Sequence, residues 1–223
     1  MQLESIPRRH PGQRIVVAAT GPSLTPEVAE LCRAEIVIAV NDAYRLMPWA
    51  EVLYACDAGW WQYHRGCPDF AGERWTSHSV LPNNDKSKIA DRFGLHVVAG
   101  AMKTGFSTKP SLLHYGRNSG FQAVNLALLM GGDPVVMIGF DMKDKVIPAT
   151  ADDPVVRRAS HFFGDHPKEI RKRTPFSRFI EAFDEAARGL APGTRIYNAT
   201  PGSALRCFQM VDLATFLARQ EAA

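Results

Sequence analysis

Short runs of apolar, branched residues recur along the chain and are separated by polar stretches. The clearest run, Arg14–Ala19, reads R-I-V-V-A-A and stops at Gly21-Pro22. Continuous runs of this kind are typical of parallel strands buried on both faces, because alternation appears only where one face meets water. The same pattern predicts five further strands, over Glu35–Val40, Val52–Cys56, His96–Ala99, Val135–Gly139 and Gly193–Thr200.

Segments with helical patterning lie between these strands. Thr25 is suited to cap a helix and Pro26 to occupy its first position, so a helix is expected over Leu24–Cys32. After Thr174-Pro175, apolar side chains recur at three- and four-residue intervals, which indicates an amphipathic helix. Further helices are expected over Ser119–Met130 and Val211–Arg219. This alternation predicts an α/β protein with a Rossmann-like open, mainly parallel sheet and helices on both faces.

Two segments lack this regularity. Residues 59–116 are broken by proline, asparagine and glycine, and we expect an irregular insertion with one short strand at His96–Ala99. Residues 143–173 mix charge, proline and glycine, and we expect an ordered but mobile lid loop in place of a regular element. Because 223 residues suffice to bury a core without disulfides or metals, a single domain over residues 1–223 is expected.

Composition mainly excludes classes of protein. Lys+Arg number 26 against 23 Asp+Glu, and the charges are interspersed, so a nucleic-acid partner is not indicated. Cys32, Cys56, Cys67 and Cys207 form no C-x-x-C pair, so free thiols are expected instead of a zinc or redox motif. No stretch has the length of a signal peptide's apolar core or of a membrane helix, so we expect a cytoplasmic protein. Homo-oligomerisation stays open.

Polar residues follow several of the predicted strands at the point where each strand ends. In open parallel sheets, ligands bind beyond the carboxyl ends of the strands, near the position where the strand order reverses. We therefore expect these residues to surround one ligand. They are Thr20, Gly21, Pro22, Ser23, Asn41, Asp42, Asp57 and Asp141.

Two short motifs at helix starts are candidate anion sites. T-G-P-S-L at Thr20–Leu24 lies between a strand and a helix, where free N–H groups and the helix dipole favour an anion. It is neither a P-loop nor G-x-G-x-x-G, and an ordinary tight turn with a capping residue fits equally well. R-N-S-G at Arg117–Gly120 allows Ser119 to cap the next helix while Arg117 and the Gly120 amide face a phosphate.

Two further motifs carry titratable side chains. Asp141 in G-F-D-M-K can bind a ribose or base, hold a divalent cation together with Asp144, or only anchor a loop. S-H-F-F-G-D-H-P places His161, Asp165 and His166 in the lid, and histidine is the side chain best suited to proton transfer near neutral pH. This cluster lacks a clear third or fourth metal ligand, so no metal site is predicted.

These motifs together carry a family resemblance. R-I-V-V-A-A-T-G-P-S-L, V-I-A-V-N-D, S-G-F-Q-A-V-N-L-A-L-L-M-G-G-D-P-V-V-M-I-G-F-D and S-H-F-F-G-D-H follow one another along most of the chain. Their order and spacing resemble the bacterial sialyltransferases of glycosyltransferase family 42. The same skeleton is shared by the MptE-like family, which includes archaeal 6-hydroxymethylpterin diphosphokinase. A compact version similar to this chain occurs among phage and prophage proteins.

The resemblance implies a donor site for a nucleotide such as CMP. It would be formed by Thr20–Ser23 and by Asn41, which matches an asparagine after the second strand. Asp57 corresponds to a further donor-site asparagine, and Ser119 and Gly120 correspond to the serine and glycine that open the central helix.

The resemblance also implies that His166 in the lid is the catalytic base, with His161 as the neighbouring candidate. The chain departs from the family at Thr20, where an asparagine is expected. It also lacks the tyrosines that assist the departing phosphate, because Met142 and Lys143 stand in their place. The positive side chains that could supply charge instead are Lys143, Lys145 and Arg117.

The leading prediction is a nucleotide-dependent transferase, specifically a glycosyltransferase that uses a nucleotide-activated sugar and needs no obligatory metal or other cofactor. Its acceptor is not specified by the sequence. One alternative is ATP-dependent pyrophosphoryl transfer to a hydroxymethyl group, with Mg²⁺ held by Asp141 or Asp57 and the nucleotide. The other is a phage-type nucleotide-binding protein without catalysis, which the missing tyrosines suggest.

Overall fold

The computed structural model describes residues 2–79, 86–149, 155–164, 166–170 and 175–219. The strands in these residues are β1 (Ile15–Ala18), β2 (Ile36–Val40), β3 (Val52–Tyr54), β4 (Glu73–Ser79), β5 (His96–Ala101), β6 (Leu112–His114), β7 (Val135–Ile138), β8 (Lys145–Ile147), β9 (Arg157–Ala159), β10 (Ile196–Asn198) and β11 (Gln209–Met210). The α-helices are α1 (Pro26–Leu31), α2 (Ala58–Tyr63), α3 (Lys86–Phe93), α4 (Ser119–Leu129), α5 (Phe176–Arg188) and α6 (Leu213–Ala218). A 3-10 helix covers Asn41–Arg45.

A nine-stranded parallel sheet forms the centre of the molecule, in the order β11-β10-β7-β1-β2-β3-β4-β5-β6. Strand β1 pairs with β2 on one side and with β7 on the other, so that Ile15 lies beside both Ile36 and Val135. The chain winds outward from β1 to β6, and α4 then leads back to β7. The strand order therefore reverses between β1 and β7, and the carboxyl ends of these two strands mark the switch point.

Helices cover both faces of the sheet. Phe121 of α4 and Phe183 of α5 belong to the apolar core on one face. Ala29, Trp61 and Leu213, from α1, α2 and α6, belong to the core on the other. All four side chains of β1 are buried, as its unbroken apolar run requires. The predicted fold class, an open and mainly parallel α/β sheet with helices on both faces, is confirmed.

Residues 59–116 do not form the expected irregular insertion, although the strand predicted at His96–Ala99 is present as part of β5. The described part of this segment contributes β4, β5 and β6 to the central sheet, and α3 packs against β4. The strand β4 reads E-R-W-T-S-H-S, in which Trp75 is the one apolar residue. Two of its polar side chains, Thr76 and Ser77, are nevertheless buried. The sequence therefore did not predict β4, because a hydrophobicity pattern does not detect buried hydroxyl groups.

The lid segment contains more regular structure than a loop. Strands β8 and β9 pair antiparallel, with Lys145 opposite Ala159 and Ile147 opposite Arg157. The following residues are tied to the main sheet, because the Phe162 N–H donates to the Thr20 carbonyl oxygen over 2.9 Å. Asp165 of the histidine cluster and Thr174, the expected start of α5, lie outside the described residues.

Local chemistry accounts for the helix next to the switch point. Thr25 has an extended backbone and its hydroxyl accepts from the Val28 N–H over 3.3 Å, while Pro26 is the first helical residue. This is the helix start that the sequence predicts. None of the helices in the described ranges is long and apolar enough to cross a membrane.

Candidate functional site

A cleft of about 470 Å³ opens at the carboxyl edge of the sheet. Residues that follow strands line one side of it, and lid residues line the other. The lining residues are Asn41, Cys56, Asp57, Gly59, Trp60, Arg117, Asn118, Ser119, His161, His166, Glu169, Ile170, Pro175 and Phe179. A smaller cavity of about 120 Å³ adjoins the cleft and shares Asn41, Asn118, Ser119, His161 and Phe179 with it. This cavity lies directly over the switch point, because Thr20, Gly21, Gly139 and Asp141 line its base.

The backbone turn after β1 approaches the end of β7 closely. The Gly21 N–H donates to the Gly139 carbonyl oxygen over 2.8 Å. A Cβ atom at Gly21 would overlap both that oxygen and the Asp141 carboxylate. Glycine is therefore required at this position by the close approach of two chain segments, and Gly21 and Asp141 form one wall of the smaller cavity.

Asp141 is a mostly buried carboxylate held by the same turn. The Ser23 hydroxyl donates to Oδ2 over 2.8 Å, and the Ser23 N–H lies 3.2 Å from Oδ1. Burial raises the pKa of Asp141 above its usual value, and this effect exceeds the opposing influence of the Ser23 hydrogen bonds and of nearby Lys143. Asp141 thus joins the ends of β1 and β7, although Ser23 and Pro22 line neither cavity.

Asn41 and Asp42 are adjacent in sequence but face different surroundings. Asn41 has a left-handed backbone with φ of 49° and lines both cavities. Its Oδ1 is buried and has no hydrogen-bond partner among the residues that the structure describes. Asp42 lines neither cavity and is only 3% exposed. Its carboxylate accepts from the Trp60 indole N–H over 2.8 Å. The expectation that Asp42 contacts a ligand directly therefore needs correction.

The end of β3 and the start of α4 meet in the cleft. The Ser119 hydroxyl accepts from the Cys56 N–H over 3.1 Å and donates to the Cys56 sulfur over 3.1 Å. The sequence predicts Ser119 as the cap of this helix, but the cap is Asn118, whose Oδ1 accepts from the Phe121 N–H over 2.8 Å. Asp57 lines the cleft beside Cys56 as predicted.

The positive side chains expected near a phosphate are distributed unequally. Arg117 is exposed, has a left-handed backbone with φ of 66° and lines the cleft next to the α4 start. Gly120 lines the smaller cavity, where a Cβ atom would press against Phe140. Lys143 is exposed and lines neither cavity, although it lies near enough to Asp141 to affect its pKa.

Both lid histidines reach the cleft. His161 Nδ1 lies 2.9 Å from the Thr20 hydroxyl oxygen, and the His161 and His166 rings are 4.5 Å apart between centroids. Phe163 stacks on His161 at 5.0 Å and contacts His166 at 5.1 Å. The imidazoles are therefore adjacent to each other, supported by one aromatic ring, and anchored to the end of β1.

Several lining residues were not singled out from the sequence. Asn118 carried a detectable signal, because asparagine is a preferred cap and stands directly before the apolar helix. Cys56 directly precedes Asp57 and Trp60 follows it three residues later, so strand-end reasoning extended by a few residues would have included them. Phe179 and Glu169 gave no such signal, since their place in the cleft depends on how the lid and α5 fold back over the sheet.

Metal binding finds no ready ligand set in the described ranges. They contain no group of three or more His, Cys, Asp and Glu side chains arranged to hold an ion. Asp144, which was considered as a partner of Asp141 for a cation, instead accepts from the Ser160 hydroxyl over 2.6 Å. Its carboxylate therefore supports the start of the histidine segment.

The chain matches no protein-family model, and no curated protein has significant sequence similarity to it. The resemblance to family 42 sialyltransferases and MptE-like proteins therefore stays a prediction. The function is therefore inferred from the geometry of the cleft.

Proposed function

We propose that this chain is a nucleotide-dependent transferase, and specifically a glycosyltransferase that moves a sugar from a nucleotide-activated donor to an acceptor hydroxyl. The observation that supports this most strongly is the shared cleft. Residues at the ends of β2 and β3, together with the start of α4, face two histidines of the lid across a space of about 470 Å³, and the end of β1 lines the adjoining smaller cavity. This volume lies in the ordinary range for small-molecule sites, which is about 300–1,000 Å³.

The phosphate end of the donor is assigned to the start of α4. This helix has 11 residues, so its first-turn N–H groups and its dipole favour an anion. Gly120 brings the backbone to the cavity without a side chain, and Arg117 adds a full positive charge at the cleft. A donor phosphate therefore finds both dipolar and charged stabilisation here.

The nucleoside end is assigned to the strand ends of β2 and β3. The buried Asn41 Oδ1 requires a donor, because an unsatisfied buried acceptor costs about 1–3 kcal/mol. A ribose hydroxyl or an exocyclic amino group of a base can supply that donor. Asp57 offers a second acceptor, and the Trp60 ring adds an apolar wall to the same cleft.

His166 is assigned the general-base role, with His161 as its support. In this mechanism His166 takes the proton of the acceptor hydroxyl while the acceptor oxygen attacks the anomeric carbon. The bond from that carbon to the phosphate oxygen breaks, and the nucleotide leaves with the electron pair. The Thr20 contact at 2.9 Å fixes His161 beside its neighbour. Positioning and charge stabilisation supply most of the catalysis.

The test combines binding with turnover. Calorimetry with CMP, CDP, UDP and ADP in EDTA should reveal micromolar or tighter binding of at least one nucleotide. With the matching nucleotide sugar, His166→Ala should lower turnover by about 10²-fold or more while leaving nucleotide affinity within about threefold. His96→Gln, which alters a histidine at the start of β5, is the matched control and should keep full turnover.

The other possible outcomes each contradict part of this proposal or favour a different function. Undiminished turnover in His166→Ala refutes the role of that histidine. Turnover that requires ATP and Mg²⁺ and disappears in EDTA favours pyrophosphoryl transfer instead. Nucleotide binding without product from any donor identifies a binding protein, and absence of all nucleotide binding refutes the proposal.

Cys56 provides a second readout of occupancy. It is half-buried and lines the cleft, whereas burial raises the pKa of the Cys32 and Cys207 thiols to about 12 and that of the Cys67 thiol to about 11. Alkylation at neutral pH should therefore modify Cys56 first. A bound nucleotide should slow this reaction about tenfold or more, as peptide mass spectrometry would measure.

A further inference from the structure

A polar cluster lies behind the Trp60 wall of the cleft, and the proposed chemistry does not use it. Its centre is Asp42, which is 3% exposed. One carboxylate oxygen, Oδ2, accepts from the Trp60 indole N–H over 2.8 Å. The other, Oδ1, lies 3.6 Å from His64 Nε2 and 3.7 Å from an Arg45 guanidinium nitrogen. Three groups from two helical segments thus face one buried acid.

The same cluster fixes the Trp60 ring itself. His64 packs on this ring with 4.3 Å between centroids, and Tyr44 meets it edge-on at 6.1 Å. Tyr44 also contacts His64, with 3.5 Å between the hydroxyl oxygen and Nδ1. Because Trp60 is 4% exposed and still lines the cleft, only an edge of it meets the ligand space. Its orientation is set from behind by Asp42 and His64.

Asp42 also controls the backbone next to it. Asn41 directly precedes it, adopts a φ of 49° and holds its Oδ1 buried at the cleft. A left-handed backbone is uncommon for a residue other than glycine and persists only where the surroundings fix it. The hydrogen bond from Trp60 to the following residue supplies such a constraint. One buried acid therefore links two different cleft residues, Asn41 and Trp60.

We propose that Asp42 is a positioning residue of the cleft, which sets nucleotide affinity through Trp60 and Asn41 without touching the ligand. This inference rests on the proposed nucleotide site. It assigns to Asp42 a role different from the direct contact that the sequence suggested. The burial of this carboxylate is offset by one hydrogen bond from Trp60 and by the nearby Arg45 guanidinium, because burying an unpaired acid is costly.

The experiment compares two substitutions at Asp42 with one control substitution at Glu73, which lies at the amino end of the sheet. Glu73 likewise accepts from a tryptophan, because the Trp75 indole N–H donates to its Oε2 over 2.7 Å, and it pairs with Arg9. Calorimetry with CMP, CDP, UDP and ADP identifies the tightest nucleotide, and that nucleotide is then titrated into Asp42→Ala, Asp42→Asn and Glu73→Ala. Thermal unfolding of each variant is measured in parallel.

Asp42→Ala should weaken nucleotide binding roughly tenfold or more, because it removes the acceptor that orients Trp60. Asp42→Asn keeps an acceptor for the indole and should restore affinity to within about threefold of wild type. Glu73→Ala should lower the unfolding temperature and leave affinity unchanged. A structural role alone would instead make affinity follow stability in all three variants.

Trp60→Phe keeps the test decisive if Asp42→Ala does not fold. Phenylalanine retains an aromatic wall but cannot donate to Asp42, and binding should again weaken by at least about threefold. Unchanged affinity in a folded Asp42→Ala variant or in Trp60→Phe overturns the inference alone. A wild-type protein that binds none of the four nucleotides overturns the proposed function, and the inference falls with it.

Discussion

The two ends of the central sheet carry the same four kinds of side chain in similar contact. Each end has an acid that accepts from a tryptophan indole, a histidine packed on that tryptophan, and an arginine near the acid. The carboxyl-end set is Asp42, Trp60, His64 and Arg45, and the amino-end set is Glu73, Trp75, His96 and Arg9. A cavity adjoins each set, with volumes of about 470 and 560 Å³. Residue types and cavity size therefore do not distinguish the two ends.

The pairing of the polar groups does distinguish them. At the amino end, Arg9 donates to both carboxylate oxygens of Glu73. The N-terminal segment closes over this end, since the Glu4 N–H donates to the Val97 carbonyl oxygen over 2.7 Å. At the carboxyl end, Asn41 Oδ1 has no partner within the part of the chain that the structure describes. The acid at the amino end is thus paired by the chain itself, although the Arg9 Nε and Trp49 Nε1 groups there have no hydrogen-bond partner among the described residues. The carboxyl end instead leaves an acceptor, Asn41 Oδ1, without a partner at the cleft.

The largest effect expected from this comparison is at two glycines. A Cβ atom at Gly21 would overlap the Gly139 carbonyl oxygen and Asp141, and one at Gly72 would overlap the carbonyl oxygens of Ala50 and Glu51. Because backbone atoms cannot easily move aside, Gly21→Ala and Gly72→Ala should each lower the free energy of unfolding by about 2–3 kcal/mol. Urea denaturation measures this loss.

The two variants should differ in nucleotide binding. Gly21→Ala alters the wall of the cavity at the switch point, so affinity should fall together with stability. Gly72→Ala lies at the amino end and should keep wild-type affinity wherever it remains folded. Equal losses of affinity in both variants would contradict the functional distinction between the two ends. Gly59→Ala is the control for the loss of stability, because a Cβ atom at this cleft position has open space.

The part of this architecture that hydrophobic patterning captures is the buried half of the sheet. Runs such as Ile15–Ala18 are apolar on both faces, so sequence alone predicts β1 and the convergence of its end with that of β7. The pattern fails at β4, where buried Thr76 and Ser77 interrupt it. A hydroxyl is buried only when it finds a hydrogen-bond partner, as Ser77 finds in Gln122 at 2.6 Å. That partner lies far away in sequence.

The candidate site shows the same division. Strand-end reasoning finds Thr20, Asn41 and Asp57 because a parallel sheet brings its carboxyl ends together. It cannot tell which of two adjacent residues lines the cleft, and it therefore includes Asp42 with Asn41. The structure distinguishes them, because Asn41 lines the cleft whereas the Asp42 carboxylate accepts from the Trp60 indole N–H.

A smaller effect is expected at the amino end, where Arg9 pairs with Glu73. The Arg9 guanidinium, together with donation from Trp75, lowers the pKa of Glu73 from 4.5 to about 2. Folding lowers the pKa of this carboxyl, so the carboxyl stabilises the protein at pH values above the pKa that it has in the unfolded chain. This contribution is lost as the pH falls towards 2. Because solvent partly screens the pair, Glu73→Gln should cost about 1 kcal/mol at pH 7.

The difference in stability between wild type and Glu73→Gln should therefore shrink as the pH falls from 5 to about 2. Urea unfolding at pH 7, 4 and 2.5 measures it. A difference that stays constant over this range would show that the Arg9 pair does not depend on the charge of Glu73.

The smallest effect, and the one with the opposite sign, is expected at Asp141 at the open carboxyl end. Burial raises its pKa, so the folded protein binds the Asp141 proton more tightly than the unfolded chain does. Wild-type stability should thus increase relative to Asp141→Asn as the pH falls from neutrality through the raised pKa. At pH 7 the free energy of unfolding of the asparagine variant should lie within about 0.5 kcal/mol of wild type, because its amide still bonds with Ser23.

Ser23→Ala removes a hydrogen bond that favours the charged carboxylate. It should therefore raise the pKa of Asp141 further and make the stability of the protein depend more steeply on pH. Parallel pH dependences for Asp141→Asn and Glu73→Gln would mean that the two ends of the sheet have the same electrostatic effect on an acid, and the contrast between the two ends would lose its electrostatic support.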